Sequence, residues 1–103
     1  MSLMSSPSWG LTIDDLVERE GVYFQKFTDV LFTGEIKEGL QRGSFKNGKR
    51  EGGWEFYYDN GQLFSKGNYE NGKKEGFWKS YKVDGTVWYW VTGTYKNDLL
   101  VGN

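Results

Sequence analysis

One 24-residue unit is written twice in succession between Gly43 and Trp90. The two copies, GSFKNGKREGGWEFYYDNGQLFSK and GNYENGKKEGFWKSYKVDGTVWYW, align without a gap. Internal repetition at this period is typical of folds in which one supersecondary unit stacks on its own copies. The repeat therefore predicts an architecture of stacked units. Nine of the 24 positions are identical: Gly43 with Gly67, Asn47 with Asn71, Gly48 with Gly72, Lys49 with Lys73, Glu51 with Glu75, Gly52 with Gly76, Trp54 with Trp78, Tyr57 with Tyr81 and Gly61 with Gly85.

Each copy has the pattern of a β-hairpin. The strand at 43–46 ends at Asn47 and Gly48, a pair suited to the positive φ values of a tight turn. The partner strand returns as GWEFYY, and a second turn ends at Gly61. Fifteen glycines and a single proline also favour a sheet with many turns. We therefore predict an all-β fold, a single twisted antiparallel meander of about eight strands built from repeated hairpins.

The two ends of the chain depart from the unit. At the N-terminus, Thr12 and Asp15 have the spacing of a capping box, which predicts a short helical turn followed by a hairpin around Glu20 and Gly21. A longer helix over 11–20 is the alternative. Residues 1–10 are predicted to be a disordered tail before a single domain over 11–103. We leave 1–3 out of the fold because Met4 could itself begin a chain.

The third unit begins normally at Gly93 and changes character after Asn97. Its loop replaces the charged residues of the earlier copies by apolar ones. Terminal repeats are normally atypical, because they cap the array. An open sheet edge also invites pairing with a second copy. This segment is therefore a candidate end cap or self-association surface, and its residues are Leu99, Leu100 and Val101.

A two-residue extension lies between Gly67 and Gly93, whose spacing is 26 instead of the 24 that separates Gly43 from Gly67. Because side chains alternate along a strand, an insertion of two keeps every residue on its face. We therefore interpret 87–91 as an extended, paired strand. In this interpretation Trp88 and Trp90 share one face.

Trp88 and Trp90 are the candidate binding residues, together with Phe64, because this aromatic pair breaks the repeat. Two indoles on one face are suited to anchoring a protein partner or stacking on a sugar. Two alternatives stay open. The N-terminal hairpin could bury them, with Phe24, Phe27 and Phe32 as packing partners, or a second subunit could.

We assign a structural role to the residues that recur in both copies of the unit. Trp54 and Trp78 are predicted to lie in the core. Phe, Tyr and Trp make up 18% of the chain and all hydrophobic residues 37%, so rings supply about half of the apolar material. Isolated glycines in strands mark close approaches. A facing ring is expected to cross over each of Gly34, Gly43, Gly67 and Gly93.

Charge and missing residue types exclude several functions. The net charge is −1, and the chain has no histidine and no cysteine. There is no overall positive field to draw it to nucleic acid, and no imidazole or thiolate for the commonest catalytic and metal sites. Glu51 and Glu75 recur with the unit, so they are read as architectural. We expect no catalysis and no cofactor. We expect a cytoplasmic protein, since the N-terminus does not have the pattern of a secretory signal and the lack of cysteine agrees with a reducing compartment. No apolar run is long enough to span a bilayer.

Four cations fall in equivalent loops of the two copies and are expected to emerge on one edge of the sheet. Such a stripe would contact phosphates or lipid headgroups and would depend strongly on salt. The alternative is that these are ordinary solvated turns, whose charge Glu51 and Glu75 partly cancel. The candidate phosphate or lipid residues are Lys49, Arg50, Lys73 and Lys74.

The motifs KNGKREG, GWEFYYDNG, ENGKKEG and TYKNDLLVG resemble the MORN repeat, and in particular the variant described as a bacterial toxin-antitoxin system antitoxin repeat. In that variant an Asn-Gly-Lys-x-x-Gly loop precedes a Trp-bearing strand and an Asn-Gly turn. The resemblance covers roughly Leu16 to Gly102 and implies a MORN-like repeat domain. It also implies a non-catalytic scaffold that binds another protein, conceivably as an antitoxin. The alternative is a module that recognises carbohydrate or phospholipid.

Overall fold

The structure, a computed structural model, describes residues 11–102. Within that range one 3-10 turn, Ile13–Asp15, is followed by ten strands that pair only antiparallel. The fold is therefore all-β, as predicted, while the predicted tail over 1–10 lies outside the described residues. The strands are β1 Leu16–Arg19, β2 Val22–Gln25, β3 Gly34–Ile36, β4 Gln41–Lys46, β5 Lys49–Tyr57, β6 Leu63–Glu70, β7 Lys73–Lys74, β8 Gly76–Ser80, β9 Gly93–Lys96 and β10 Leu99–Gly102.

The N-terminal segment has the predicted short turn and hairpin. The Thr12 backbone N–H donates to Oδ2 of Asp15 at 2.9 Å, and Oγ1 of Thr12 accepts from the backbone of Asp14 at 3.3 Å. Glu20 and Gly21 then take φ values of 53° and 81°, which reverse the chain between β1 and β2. Leu16 is buried where this segment joins the core. The alternative of a longer helix over 11–20 is thus wrong, because the backbone is already extended at Leu16 (φ −119°, ψ 161°), where β1 begins.

Eight of the strands form one meandering sheet in the order β10-β9-β8-β6-β5-β4-β3, with β7 also paired to β6. Strands β7 and β8 together correspond to the single strand β5 of the first copy, and one residue, Glu75, separates them. The remaining two strands, β1 and β2, form a separate hairpin. This hairpin docks on the sheet through the backbone N–H of Tyr23, which donates to the carbonyl of Gly48 at 2.8 Å.

The two repeated tryptophans are the centre of the core, as predicted. Trp54 is 1% exposed and Trp78 is 0% exposed. Their rings lie directly over Gly43 and Gly67 on the neighbouring strands, so close that a Cβ at either glycine would overlap the indole. Each indole N–H donates at 2.9 Å to a carbonyl on the strand that it crosses.

The expected ring crossing is not general. At Gly34 a Cβ would meet the ring of Phe32 at 2.8 Å, which comes from two residues earlier in the same chain segment. At Gly93 it would meet the backbone carbonyl of Gly102, so the prediction of a facing ring is wrong there. The reason is that the third unit has no tryptophan to cross Gly93, and β10 closes over it instead.

One face of the sheet carries most of the rings, and we call it the aromatic face. Its rings meet edge to face, as in the pairs Phe45–Trp54 at 5.1 Å and Tyr69–Trp78 at 5.0 Å between centroids. The N-terminal hairpin covers one end of this face, where Tyr23 lies 4.8 Å from Phe45. The other end is open. The aromatic face is formed by Phe45, Trp54, Phe56, Tyr69, Trp78 and Tyr95.

Candidate functional site

The two-residue extension leaves the sheet instead of lengthening a strand. Val87 forms an isolated bridge with Tyr81, and the Trp88 backbone N–H donates to the carbonyl of Ser80 at 2.8 Å. A turn closed by Val91 N–H to the Trp88 carbonyl follows, and Thr92 then satisfies Ser80 with its side chain, since Oγ1 accepts from the Ser80 backbone N–H at 2.9 Å. The predicted continuous strand over 87–91 is therefore wrong.

This turn separates the two tryptophans that were expected to share a face. Trp88 is half-buried, with its ring 6.5 Å from that of Phe64. Trp90 lies in the turn and is 84% exposed, next to Tyr89 at 73%. The N-terminal hairpin does not bury them, because Phe32 packs on Phe45 at the far end and Phe27 is itself exposed.

Phe64 reaches Trp88 through a bulge that the alternation of side chains did not predict. Tyr57 pairs with Leu63 and Phe56 pairs with Ser65, so the strand skips one residue at Phe64. The bulge lets Phe64 line the same cavity as Ser65, although the two are adjacent in sequence. A bulge of this kind adds one unpaired residue and re-aims its side chain. The structure thus unites Phe64 with Trp88 and leaves Trp90 at the surface.

A cleft of about 280 Å³ opens on the uncovered end of the aromatic face, and we call it the aromatic cleft. Its floor includes buried Trp78 and two buried serines, Ser65 and Ser80, whose hydroxyl groups hydrogen-bond to each other at 2.8 Å. Trp88, Phe64 and Val91 complete its outer part. The cleft is lined by Phe56, Phe64, Ser65, Tyr69, Lys74, Trp78, Ser80, Trp88, Val91 and Tyr95.

The cleft exists because two large side chains are replaced by serines one unit later. Gln41 pairs with Phe56 across β4 and β5, and at the equivalent positions 24 residues on, Ser65 pairs with Ser80. The exchange replaces a ring and an amide by two small hydroxyl groups, and Trp78 stays 0% exposed beneath the side chains around it. Sequence reasoning singled out the aromatic residues that the second copy gains, and it missed these losses. The alignment of the two copies already contains part of this exchange, because Phe56 aligns with Ser80 in the repeat.

Arg50 belongs to the aromatic face and not to a charged loop. Its guanidinium carbon lies 4.8 Å from the centroid of Trp54 and 5.0 Å from that of Tyr23. Its Nη2 also donates to Oε1 of Gln41 at 2.6 Å. Ring faces attract a desolvated cation, and the guanidinium stacks on them well. The expectation that four cations form one exposed stripe is therefore wrong for Arg50.

Lys74 is the counterpart of Arg50 in the second copy and lines the aromatic cleft. Its Nζ lies 4.9 Å from the centroid of Trp78 and 5.0 Å from that of Tyr95. Burial lowers the pKa of this ammonium group, while the charge of Asp98 acts in the opposite direction. Of the four candidate cations only Lys73 is exposed; Lys49 is half-buried at the start of β5. The stripe is thus broken in both copies.

The dependence of the protein's stability on pH above about 9 should be sensitive to the ionisation of the Tyr69 phenol on the aromatic face. Burial raises the pKa of the Tyr69 phenol above its usual value near 10. The folded protein therefore keeps this proton at pH values where the unfolded chain has lost it, so stability is retained below pH 10 and falls as the pH rises further. Lys74, whose pKa is lowered, works in the opposite direction over the same range.

The comparison of wild type with Tyr69→Phe isolates the phenol contribution. We expect the melting temperature of the wild type to fall relative to the variant between about pH 9.5 and 11. Below pH 8 the difference between the two proteins should be constant. Parallel curves throughout this range would contradict the assignment.

The apolar third unit lies at the edge of the sheet. β10 pairs with β9 on one side, and no strand of residues 11–102 pairs with its other side. Leu99 is 68% exposed, Leu100 38% and Val101 61%. An apolar, unpaired edge is where a second chain would add. This edge is close to the aromatic cleft, because Leu100 pairs with Tyr95 and Tyr95 lines the cleft.

No group of three or more acidic side chains that could hold a metal ion occurs in the described part of the chain. Residues 11–102 also contain no helix long and apolar enough to cross a membrane. No protein-family model matches the chain, and neither a curated protein nor a solved structure matches it.

Proposed function

We propose that this chain is a non-catalytic protein-binding module whose binding surface is the aromatic cleft together with the turn at 88–91. The exposure of Trp90, at 84%, beside an apolar cleft is the observation that carries the proposal. Large rings anchor protein interfaces because they bury much area at little cost in conformational entropy. Adjacent exposed rings at a cleft are therefore more useful as a partner surface than as part of a core.

The surface continues beyond the cleft, which favours a macromolecular partner. A second, shallower groove of about 700 Å³ lies on the other side of the Phe64 and Trp88 pair, lined also by Tyr58, Lys82 and Val83. The two rings thus form a ridge between two grooves. A protein can fill both at once, whereas a small ligand would fill one.

The resemblance of the motifs to antitoxin-type MORN repeats suggests the class of partner. On this proposal the chain binds a second protein in the cytoplasm, and a toxin neutralised by the contact is one such partner. Scaffolds of one fold serve many functions, so the fold itself gives no support for that choice. A stoichiometric complex copurified from the native host would identify the partner.

Trp90→Ala is expected to weaken binding of that copurified partner by about tenfold to a hundredfold, in the range of a hot-spot residue. The reason is the loss of an exposed indole that contributes little to folding. The melting temperature of the variant should stay close to that of the wild type. Isothermal titration calorimetry with the purified partner measures the loss of affinity.

Phe27→Ala is the matched control, since Phe27 is 99% exposed and lies in the loop after β2, away from the cleft. It should bind the partner as the wild type does. Equal affinity of the Trp90 variant and wild type would overturn the proposed surface. Quenching of tryptophan fluorescence by a soluble glycan, lost in Trp90→Ala, would instead support the carbohydrate alternative. Sedimentation with anionic liposomes, lost in Lys49→Ala with Lys73→Ala, would support the phospholipid alternative.

A further inference from the structure

We propose that the face of the sheet opposite the aromatic face docks an acidic segment of a protein, whose carboxylates bind to Arg42, Lys66 and Lys79. This surface is separate from the aromatic cleft and from the turn at 88–91, so the inference goes beyond the proposed function. Both the shape and the charge of this face favour such an occupant.

Two grooves run together across this face. One has a volume of about 460 Å³ and lies on strands β5, β6 and β8. The other has about 370 Å³ and lies on β3, β4, β5 and β6. Because the two grooves share lining residues, they form one surface, which we call the basic trough. The shared residues are Gly53, Lys66 and Gly67.

The floor of the basic trough is open, because a glycine stands where the second copy of the repeat carries a ring. Gly53 aligns with Phe77 in the two copies. Gly53 is exposed, and a Cβ there would meet no atom within 4 Å. Asn68, which pairs with Gly53 on the neighbouring strand, is exposed as well. A peptide can therefore approach the backbone of β5 at this point without displacing a side chain.

Cations outnumber anions in the basic trough, although the net charge of the whole chain is −1. Two carboxylates line it, and each already has a lysine partner. Oε1 of Glu35 lies 3.7 Å from Nζ of Lys37, and Oε2 of Glu55 lies 3.6 Å from Nζ of Lys66. The remaining charge of the trough is therefore positive.

Arg42 and Lys79 carry this remaining charge, since neither has an ion-pair partner among residues 11–102. The guanidinium carbon of Arg42 lies 4.5 Å from the ring centroid of Tyr57, and Nζ of Lys79 lies 5.6 Å from that of Tyr81. Both cationic side chains are exposed. An exposed cation gains little from a ring face, so both remain available to a carboxylate.

Lys66 and Lys79 lie directly opposite each other on β6 and β8. Like charges at such positions destabilise a sheet, because the Cβ atoms of facing residues are only about 5 Å apart. A carboxylate between the two ammonium groups would offset this repulsion and accept a charge-assisted hydrogen bond from each. The pair therefore costs stability in the free chain and becomes favourable when an acidic side chain binds.

Phe77 gives the trough an apolar wall beside these cations. Its side chain is 58% exposed, although it lies within β8. Leu63 and Tyr81 line the same groove. An exposed ring next to two cations suits a segment in which an apolar residue neighbours acidic ones, since the ring buries area while the charges fix the orientation.

The two carboxylates of the trough favour a peptide over a nucleic acid or a membrane. Glu35 and Glu55 would repel the closely spaced phosphates of either. A peptide can instead place single carboxylates beside the cations alone. The occupant that matches the pattern of charge is therefore an acidic protein segment.

Gly53→Phe tests the inference, because it fills the trough without changing the charge of the protein. The second copy carries an exposed phenylalanine at this position, so the variant should fold as the wild type does. Random displayed peptides are selected on the wild type, with counter-selection on Gly53→Phe. The selected peptides should contain clustered aspartate and glutamate. Selective peptides without acidic residues, or no selective peptides, would overturn the inference.

Arg42→Gln with Lys79→Gln removes the two unpaired cations and leaves the floor of the trough unchanged. Fluorescence polarisation should show that the selected peptides bind this double variant about tenfold more weakly, in the range of two exposed ion pairs. Replacing the acidic residues of the peptide by their amides should have a similar effect on its binding to the wild type.

Lys26→Gln with Lys73→Gln is the matched control, because it removes two exposed cations that line neither groove. It should bind the selected peptides as the wild type does. An equal loss of affinity in the two double variants would mean a non-specific effect of net charge and would overturn the inference.

A thymidine oligonucleotide and phosphatidylserine vesicles probe the other anionic partners. Both should bind the wild type more weakly than the selected peptides do. Tighter binding of either probe, lost in Arg42→Gln with Lys79→Gln, would assign the trough to nucleic acid or to a membrane and overturn the choice of a protein segment.

Trp90→Ala separates this inference from the proposed function, because no residue of the turn at 88–91 lines the basic trough. The variant should bind the selected peptides with full affinity. Weaker binding would place the peptides on the turn and overturn the inference. Undiminished affinity of Trp90→Ala for the copurified partner would instead overturn the proposed function alone.

Discussion

Gly67→Val is expected to destabilise the protein by about 3 kcal/mol, at the upper end of the range for overpacked cores. The Trp78 indole lies over Gly67 so closely that even a Cβ would overlap its ring. Neither group can yield, since Trp78 is fully buried and its indole N–H donates to the carbonyl of Asn68. For a domain of this size the loss corresponds to a fall in melting temperature on the order of 12 °C or more.

Gly53→Val is the matched control for this prediction. Gly53 lies in β5, and a Cβ there would meet no atom within 4 Å. Valine is favoured in strands, and it restricts the unfolded chain more than glycine does, so the variant should be as stable as the wild type or slightly more stable. Thermal unfolding followed by circular dichroism measures both. Equal melting temperatures for the Gly67 and Gly53 variants would refute the close approach.

Trp54→Ala is expected to cost about 4 kcal/mol, within the range for deletion of a buried tryptophan. Trp54 is 1% exposed and contacts the rings of Phe45, Phe56 and Tyr69. The substitution also removes the donor to the Ser44 carbonyl and one ring beneath the Arg50 guanidinium. Since small domains are stable by only about 5 to 15 kcal/mol, between about a quarter and four fifths of the net stability would be lost.

Trp90→Ala provides the comparison within the same residue type. Trp90 is 84% exposed, so its deletion should change the free energy of unfolding by less than about 0.5 kcal/mol. Urea denaturation followed by far-ultraviolet circular dichroism gives both values without depending on tryptophan fluorescence. A loss of more than about 2 kcal/mol at Trp90 would mean that the indole belongs to the fold and would remove the basis of the proposed binding surface.

The repeated unit predicted the architecture because its signals are local. The turn pairs are Asn47 with Gly48 and Asn71 with Gly72, and all four residues take positive φ values. Asparagine and glycine tolerate such values, so the hairpin turns follow from the local sequence. The burial of Trp54 and Trp78 was also predicted, because both recur with the unit, and the structure adds that their rings lie over Gly43 and Gly67. These interactions join neighbouring strands, and the pairing of neighbours is what a repeat encodes.

The cations and the extension were predicted less well because their positions depend on competition between partners. Arg50 and Lys74 have the sequence context of solvated turns, yet each finds ring faces that only the assembled sheet brings together. The two-residue extension preserves the alternation of side chains, yet it forms a turn outside the sheet. A threonine hydroxyl could replace the missing backbone partner of Ser80, and such a substitution leaves no periodic signal.

The sequence by itself determined that the chain is an antiparallel series of hairpins with a buried tryptophan in each copy, since turn chemistry and strand alternation act over a few residues. Only the tertiary structure decided where the aromatic face stays open. The N-terminal hairpin places Tyr23 on Phe45 and covers the first copy, while the cleft lined by Phe64, Trp88 and Tyr95 opens on the second. Whether a ring is core or binding surface depends on what packs on it from distant parts of the chain. That is a property of the packed sheet and of no single stretch of residues.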